Sequence, residues 1–566
     1  MDEKLKELTY KYAVKNAFEH EGKASMKAVI GKLMALDKGL AKNLSKEVKE
    51  INEIIERVNS MDGKEIESEF NKFLGSFELK PAPAREGLGE LDWAKEGEIN
   101  TRFAPNPNGP FHLGNARAAL MSYEYSRKYK GKFILRFDDT DPKVKRPIEK
   151  PEKIFLEDLG WLGIKVDEVY FASDRIELYY QYMRKILSMN KAYVCSCEKG
   201  EWKKKIDEKK GCECRELKAE EQSKRFEKMI SNEFKEGEAV LRIKTDLNEA
   251  DPSLRDWWAA KIMDEPFHPR TGDKYHVWPS YNFASAIDDH EMNITLIIRG
   301  QEHAQNAEKQ KYLYSYFGWT YPHAIHTGRI ALEGIILSTS ETRKGIEEGK
   351  YIGWDDPRLG TIKALRRRGF HAKALIEALK EVGVKTNDTT ITRKHLIALN
   401  KKHIDPIAER FTFIDDPIRF DVQYIPAMEI ERFIHPDYPE QGSRVYELKG
   451  GTETVIVSKK EIDGVKEGEI VRLRHGFNAR IIRKDSMQVF AEYVSTGKLK
   501  GKPILSWILE ETDAMLFMPS TERKYGSIEA EAVKKEKGSF VQLEKTGYGV
   551  IDSIERGKVN IWFTHE

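Results

Sequence analysis

Hydrophobic positions recur at three- and four-residue spacing through the first part of the chain, as in "SMKAVIGKLMALDKGLAKNLSKEVKEINEIIERVNSM". Charged residues fill the gaps between them, so the spacing predicts a helical domain over residues 1–93. It ends in the Pro/Gly-rich stretch "LKPAPAREGLGELDW". The pattern then changes. "EINTRFAP" reads as a short strand, "NARAALMSYEYSRKY" as a helix with Ala116, Ala119, Leu120 and Tyr123 on one face, and "GKFILRFDD" as a second strand. Strand, glycine-rich loop, helix and strand make a βαβ unit, which implies a parallel sheet with a ligand crevice at its strand ends. Residues 94–190 form the first half of this sheet domain, and residues 191–275 an insertion holding the strand "AVLRIKTD". The apolar strand-and-helix pattern returns over 276–355. Residues 356–400 are helical and basic. From 401 to 566 short alternating runs such as "TVIVSKK", "MQVFAEYV" and "KVNIWFTH", punctuated by Gly and Asn, predict β-barrels. No internal repeat or low-complexity tract stands out. The fold class expected is α/β multi-domain: a Rossmann-type parallel sheet split by an insertion, with helices before it and barrels after it.

Composition narrows the function classes. The chain has 566 residues with 95 basic and 93 acidic side chains, a net charge of +2, which argues against indiscriminate coating of nucleic acid while leaving room for local basic faces. Hydrophobic residues at 40% and charged residues at 33% fit a soluble multi-domain protein. No apolar run reaches the length of a membrane span, and the charged start "MDEKLKELTYKYAVKNAFEH" lacks a signal-peptide core, so a cytoplasmic, membrane-free protein is expected. All four cysteines, Cys195, Cys197, Cys212 and Cys214, crowd into twenty residues. In a reducing compartment such crowding suggests a metal and not disulfides. Four thiolates suit tetrahedral zinc, although the C-x-C spacing is tighter than the usual C-x-x-C knuckle; four ordinary thiols in a charged loop is the alternative.

The loop "PNPNGPFHLGNAR", Pro105 to Arg117, carries the first candidate chemistry. It opens directly into a helix, whose N-terminus offers unpaired N–H groups and a positive dipole end to a phosphate. Gly109 and Gly114 let backbone approach a ligand, His112 can donate a hydrogen bond to a phosphoryl oxygen, and Asn115 can cap the helix or donate its amide. A tight turn with an incidental histidine is the plainer reading; Pro105, Pro107, Gly109, His112, Gly114 and Arg117 together favour a nucleotide site. Asp138, Asp139 and Asp141 read as an acidic turn before proline or as a metal cluster. Arg299 ends a strand and reads as a pocket cation or as a partner of Asp288 or Asp289.

The same loop resembles the HIGH signature of class I aminoacyl-tRNA synthetases, in their glutamyl/glutaminyl branch. "LRFDDTDP" (Leu135–Pro142), "GWDDPRLGTIKALRRRGF" (Gly353–Phe370) and "IDPIAERFTFID" (Ile404–Asp415) are similar to that branch too. The β-rich C-terminus resembles the anticodon-binding barrels of the archaeal glutamyl and the glutaminyl enzymes. Two departures mark this chain. Asn115 replaces the second histidine of HIGH, and the KMSKS motif appears as "ILSTS" (Ile336–Ser340), without its lysines at Ile336 and Thr339. Arg343 and Lys344 lie just downstream as candidate substitutes.

The resemblance implies a two-step reaction. An amino-acid carboxylate attacks the α-phosphate of ATP, with Mg2+ bridging the phosphates, and the terminal adenosine of tRNA-Glu takes the aminoacyl group; tRNA-Gln is a second candidate acceptor. It implies ATP contacts from Pro107, Gly109, His112, Gly114, Asn115, Leu337, Ser338, Thr339 and Ser340, with His112, Asn115, Ser338 and Ser340 catalytic. Arg299 would discriminate glutamate, since a carboxylate calls for a planar, permanently charged fork. Tyr281, Ser285 and Arg102 would share its pocket, and Asp138 would hold the α-ammonium. The family often carries zinc in the cysteine insertion, which implies a structural Zn2+ there. His303 is expected near the adenosine pocket or as a structural group. Arg366, Arg367 and Arg368 read either as compensation of a helix dipole or as a basic patch for a tRNA stem. "RLRHGFNARIIRK" has the basic-aromatic alternation that stacks single-stranded bases. The N-terminal helices would dock tRNA or a partner, or simply pack. Oligomeric state is not legible; a monomer is the simplest expectation. Three other readings stand beside glutamate–tRNA ligation: a glutamine-specific ligase, which Arg299 opposes; a small nucleotidyltransferase, which the long β-rich tail opposes; and a tRNA-binding protein without activity, suggested by the missing lysines.

Overall fold

The computed structural model describes residues 3–19, 22–36, 44–73 and 88–566, in two compact units, Met1–Glu86 and Gly87–Glu566. In the first unit, helices α1 (Glu3–Glu19), α2 (Met26–Leu36), α3 (Leu44–Asn59) and α4 (Gly63–Phe73) enclose their own core. Ile51, Ile55 and Val58 fall on one face of α3 at helical spacing and meet Ala13, Val14, Val29 and Leu33.

The second unit opens with the parallel sheet. Strands β1 (Thr101–Phe103), β2 (Phe133–Phe137) and β3 (Glu168–Phe171) precede an antiparallel sheet of β4 (Ala192–Cys195), β5 (Val240–Ile243), β6 (Trp258–Ile262) and β7 (Val277–Pro279), after which come β8 (Leu296–Gly300) and β9 (His323–Thr327). The main sheet has the order β3-β2-β1-β8-β9, all parallel. Its direction of growth reverses between β1 and β8, so the crevice lies there, at the carboxyl ends of both strands. β1 and β2 are buried throughout, as expected of a parallel sheet covered on both faces. Helix α5 (Leu113–Lys128) packs Ala116, Ala119 and Leu120 into the core beside Phe133, Leu135 and Leu296. A short parallel pair, β10 (Ile330–Leu332) with β11 (Thr389–Ile391), follows. The predicted architecture is the one adopted: helices, a split parallel sheet, then barrel-like sheets.

The C-terminal region holds a feature that the sequence reading did not find. The strands run β12 (Glu409–Phe411), β13 (Phe413–Ile414), β14 (Pro417–Ile425), the hairpin β15 (Met428–Phe433) and β16 (Ser443–Leu448), β17 (Gly451–Ser458), β18 (Ile470–Leu473), β19 (Asn478–Lys484) and β20 (Gln488–Ser495). They continue with β21 (Ile504–Leu505), β22 (Trp507–Ile508), β23 (Glu511–Phe517), β24 (Arg523–Glu529), β25 (Phe540–Leu543), β26 (Gly547–Glu555) and β27 (Lys558–His565). Two seven-stranded sheets form, β21-β18-β19-β20-β14-β17-β22 and β12-β25-β26-β27-β23-β24-β13. Position by position they have the same sequence of parallel and antiparallel pairings. Two bulges also correspond, at Asn478/Ala479 and Ile481/Arg483 in one and at Tyr548/Gly549 and Ile551/Ser553 in the other, while the one at Val422/Ile425 belongs to the first sheet alone. The chain therefore contains an internal repeat, one so diverged that little beyond Gly468, Val471, Leu473 and Ile481 against Gly538, Val541, Leu543 and Ile551 shows it. The sheets also exchange edges. β12 and β13 lead into the first sheet yet close the second, and β21 and β22 lead into the second yet close the first. Neither sheet is complete without the linker of the other.

Candidate active site

The loop before α5 is built by its own side chains. His112 is the N-cap: its Nδ1 accepts the Gly114 N–H at 3.1 Å, and the Asn115 amide oxygen accepts the His112 N–H at 3.1 Å, closing a capping box. Asn115, where the family signature has histidine, thus caps the loop and keeps its NH2 group as a donor. Burial pushes the imidazole down to about 4, so it is neutral; with Nδ1 accepting, the ring proton sits on Nε2.

The segment Ile336–Ser340 lies against this loop. A Cβ on Gly109 would fall 2.3 Å from Thr339 Cγ2, and one on Gly114 would fall 3.8 Å from Leu337 Cδ1. The Arg343 guanidinium donates to the Asn108 carbonyl, whereas Lys344 turns to Glu348 at 3.7 Å. Of the two candidate substitutes for the missing lysines, only Arg343 reaches the loop. Both segments hang on a third. Leu113 N–H donates to Gly360 O at 3.0 Å, Ile362 N–H to Phe111 O at 3.0 Å, and Gly360 N–H to Ile336 O at 3.2 Å. Ser338 caps the helix Thr339–Glu347, its Oγ accepting from Glu341 N–H at 3.4 Å, and lies 3.4 Å from Ser340 Oγ. Arg117 is structural: it donates to the carbonyls of Gly383, Gly328 and Lys385.

A cavity of about 810 Å³ opens at the ends of β1, β2 and β8. Arg102, His112, Gly114, Asn115, Asp138, Tyr281, Arg299 and Leu337 line it, and so does His303, whose Nδ1 meets the Asn306 amide at 3.0 Å. Pro107, Gly109, Ser338, Thr339 and Ser340 stand outside this lining, the first two in the loop before α5 and the others at the start of the helix Thr339–Glu347. Ser285, expected beside Tyr281, is a correction: it is turned away, and its hydroxyl accepts from Arg136 Nη2 at 2.9 Å. Lys145 and Lys261 line the cavity without having been singled out, because nothing local distinguishes them from surface lysines.

Behind the wall lies a closed set of charges. Arg136, fully buried, donates to Asp138 Oδ1 at 3.1 Å and Asp289 Oδ1 at 2.7 Å. Arg102 donates to Asp289 at 3.2 Å, and Asp288 takes Arg175 at 2.7 Å and the Tyr179 hydroxyl at 2.6 Å. Burial pushes the Asp138 carboxyl up to about 6 against the pull of Arg136 and Arg102, and its Oδ2 has no hydrogen-bond partner. The three aspartates do not form a metal cluster. Asp139 accepts from Ser173 N–H at 2.8 Å and Oγ at 2.7 Å, and Asp141 caps a turn at Val144 N–H at 2.9 Å.

Arg299 lies apart from these carboxylates and has none of its own. Its guanidinium meets Gln310 Oε1 at 3.2 and 3.3 Å, Tyr321 OH at 3.1 Å, Tyr281 OH at 3.4 Å and His326 Nε2 at 3.4 Å. The pairing with Asp288 or Asp289 entertained from sequence is absent, because those carboxylates face Arg102, Arg136 and Arg175. Arg299 is thus a cation, 5% exposed, on the cavity wall with neutral partners only.

Away from the cavity, the four cysteine sulfurs lie within 4.8 Å of one another, with Cys195–Cys212 and Cys197–Cys214 each at 3.8 Å. Zinc–sulfur bonds at tetrahedral angles put sulfurs about 3.8 Å apart, so the set fits Zn2+. The arginine run does not form a free basic patch. Arg366 pairs with Glu157 at 3.1 Å, Arg367 with Asp552 at 2.7 Å and Asp355 at 3.1 Å, and Arg368 is buried, which lowers its guanidinium to about 10. Among the described residues no helix is long and apolar enough to cross a membrane.

Residues 98–406 match the family model described as tRNA synthetases class I (E and Q), catalytic domain, and residues 408–495 the one described as the anti-codon binding domain of the same enzymes. The fold and the cavity at the strand ends are those of a class I tRNA synthetase. The chain is 47% identical over 99% of its length to the whole glutamate–tRNA ligase of Pyrococcus furiosus, and 46% identical, over the full length of both chains, to that of Thermococcus kodakarensis. The glutamate–tRNA ligase of Methanothermobacter thermautotrophicus is 39% identical over 99% of this chain and all of its own. A solved glutamate tRNA ligase from Elizabethkingia meningosepticum aligns with 55% of this chain and 70% of its own, at 23% identity and a TM-score of 0.40. The chain belongs to the E and Q family of class I tRNA synthetases.

Proposed function

We propose that the protein is a glutamate–tRNA ligase, which activates glutamate with ATP and passes it to the 3′-terminal adenosine of tRNA-Glu. One observation carries the choice of glutamate: the buried guanidinium of Arg299 faces the cavity with no carboxylate bonded to it. A side-chain carboxylate completes it, while the neutral amide of glutamine leaves the charge uncompensated. Asp138, with Oδ2 unpartnered, takes the α-ammonium; Arg102 and Tyr281 complete the amino-acid pocket. This orientation leads the α-carboxylate toward the triphosphate.

His112 serves as a neutral donor from Nε2 to a phosphoryl oxygen, assisted by the Asn115 amide and the N-terminus of α5. Gly109 and Pro107 shape the loop, Gly114 admits the nucleotide, and Leu337, Ser338, Thr339 and Ser340 cover it from the opposite segment, where Ser338 and Ser340 offer hydroxyls and Arg343 supplies charge. Positioning and charge stabilisation, not covalent catalysis, are what these groups supply. Magnesium would reach the site on the phosphates of ATP: among the described residues the four cysteines are the only group of three or more potential ligands found together. Zn2+ held by Cys195, Cys197, Cys212 and Cys214 knits the insertion to its own strand β4. The barrels bind the anticodon arm, and the protein works in the cytoplasm as a monomer.

ATP–pyrophosphate exchange tests the reading. Exchange is expected with glutamate in the presence of tRNA-Glu, and at least about a hundredfold less with glutamine. Exchange with glutamine alone, or with neither amino acid, would overturn it. Charging of purified tRNA-Glu and tRNA-Gln then decides whether one acceptor or both are used.

A further inference from the structure

The partner that Arg299 does have is an unusual choice. Gln310 lies on the helix Ala304–Phe317 and is fully buried. Its Oε1 accepts from both terminal nitrogens of Arg299, at 3.2 and 3.3 Å, and from the Tyr321 hydroxyl at 2.9 Å. Three donors converge on that one oxygen, which fixes the orientation of the amide. The cost appears at the other end: Gln310 Nε2 is buried with no hydrogen-bond partner, a state folded proteins seldom leave in place.

Glutamate at this position would have the same shape. It would leave an oxygen stranded where Nε2 now lies, but it would bond the guanidinium as an ion pair, so the contact with Arg299 by itself favours it over glutamine. A carboxylate there would also neutralise Arg299 before any substrate arrived. A buried guanidinium given a neutral partner where a carboxylate would fit points to a function beyond local packing. We infer that Gln310 is a specificity-determining, positioning residue: it holds the Arg299 fork in place through a neutral oxygen, so that the positive charge stays available to the side chain of the amino-acid substrate. Tyr321 extends the device, bonding both the arginine and the Gln310 oxygen without adding charge. Gln310 does not itself line the cavity.

This inference rests on the glutamate reading of the pocket, and full-length Gln310→Glu separates the two. The readout is the ratio of kcat/KM for glutamate to kcat/KM for glutamine in tRNA-dependent pyrophosphate exchange, with KM for ATP and the melting temperature measured alongside. Gln310→Glu is expected to lower the ratio by about a hundredfold or more, through a raised KM for glutamate, with KM for ATP unchanged. Gln310→Met, of similar length and uncharged, is expected to raise KM for glutamate about tenfold while keeping glutamate preferred. A folded Gln310→Glu protein with the wild-type ratio would overturn the inference. So would a Gln310→Met protein that loses preference as fully as Gln310→Glu, since charge would then not be the cause. Should Gln310→Glu fail to fold, an unchanged KM for glutamate in Gln310→Met overturns it equally. A wild-type protein inactive with glutamate would instead remove the glutamate reading itself.

Discussion

Asp138 combines two demands that oppose each other. Burial raises its carboxyl from the ordinary 3.8 to about 6, although Arg136 and Arg102 pull it down. Between those values the folded protein holds a proton that the unfolded chain has lost, so this group's contribution to stability falls as pH rises from about 4 to about 6. At neutral pH the ionised, half-satisfied carboxylate is kept at a cost, which the α-ammonium of the proposed substrate would offset. Glutamate is therefore expected to raise the melting temperature more at pH 7.5 than at pH 5, and kcat/KM for glutamate to fall as pH drops through about 6. Asp138→Asn is expected to abolish the difference between the two pH values and to cost about a hundredfold in kcat/KM; a thermal-shift series with and without glutamate checks the first point. His112 has the reverse sign. Its depressed value means that the neutral ring contributes stability above about 6.5 that is lost as pH falls toward 4. Neither behaviour could be read from "RFDDTD" or "FHLGN", because burial and facing charges make the shifts.

Among the larger pieces, the segment around Gly360 does what neither the His112 loop nor the Ile336–Ser340 segment can do alone. Backbone hydrogen bonds tie it to Phe111 and Leu113 on one side and to Ile336 on the other. A Cβ on Gly360 would lie 2.2 Å from Leu337 Cδ2 and 3.1 Å from the Ile336 carbonyl, so the Leu337 side chain would have to turn away and the backbone beside it to give slightly. Gly360→Ala is expected to raise KM for ATP about tenfold and to destabilise by about 1–3 kcal/mol, the usual cost of overpacking. Gly160→Ala is the control: a Cβ there meets nothing within 4 Å, and alanine should be neutral or stabilising by up to about 1 kcal/mol in its helix. Thermal melts and ATP titrations of the two variants separate the effects. The likeness of "GWDDPRLGTIKALRRRGF" to its family was visible in the chain. Its work as a clamp was not, since hydrogen bonds between segments distant in sequence leave no local pattern.

Over the whole protein, long-range ties hold together parts that the chain separates. Arg367 bonds Asp552 of β26 at 2.7 and 2.9 Å, fixing the helix after the clamp to the second C-terminal sheet. The two sheets interlock through their exchanged edges, so they should melt together and not one by one. In the insertion, the four cysteine sulfurs lie within 4.8 Å of one another. The protein is expected to carry one zinc per chain by elemental analysis; Cys212→Ser should lower that stoichiometry and, since structural zinc contributes folding free energy, the melting temperature as well. A metal-free protein with an unchanged melting temperature would refute the zinc assignment.

Periodicity alone was enough for the helical first unit, the βαβ start, the insertion and the β-rich end, because burial on one face of a helix or strand imposes its spacing on neighbouring residues. The glycine-histidine loop was legible for a similar reason: helix capping and close backbone approach are local requirements met by residues a few positions apart. The repeat within the C-terminal region left almost no trace, since a barrel-like sheet tolerates any side chains that alternate suitably and keeps only its turns and bulges. The pairing partners of Arg299, Arg102 and Asp138 were set by packing. Which buried cation keeps a carboxylate, and which is left with the neutral oxygen of Gln310, depends on how the helices before and after β8 pack against it and against β1 and β2, and electrostatics across such contacts has no representation in the order of residues.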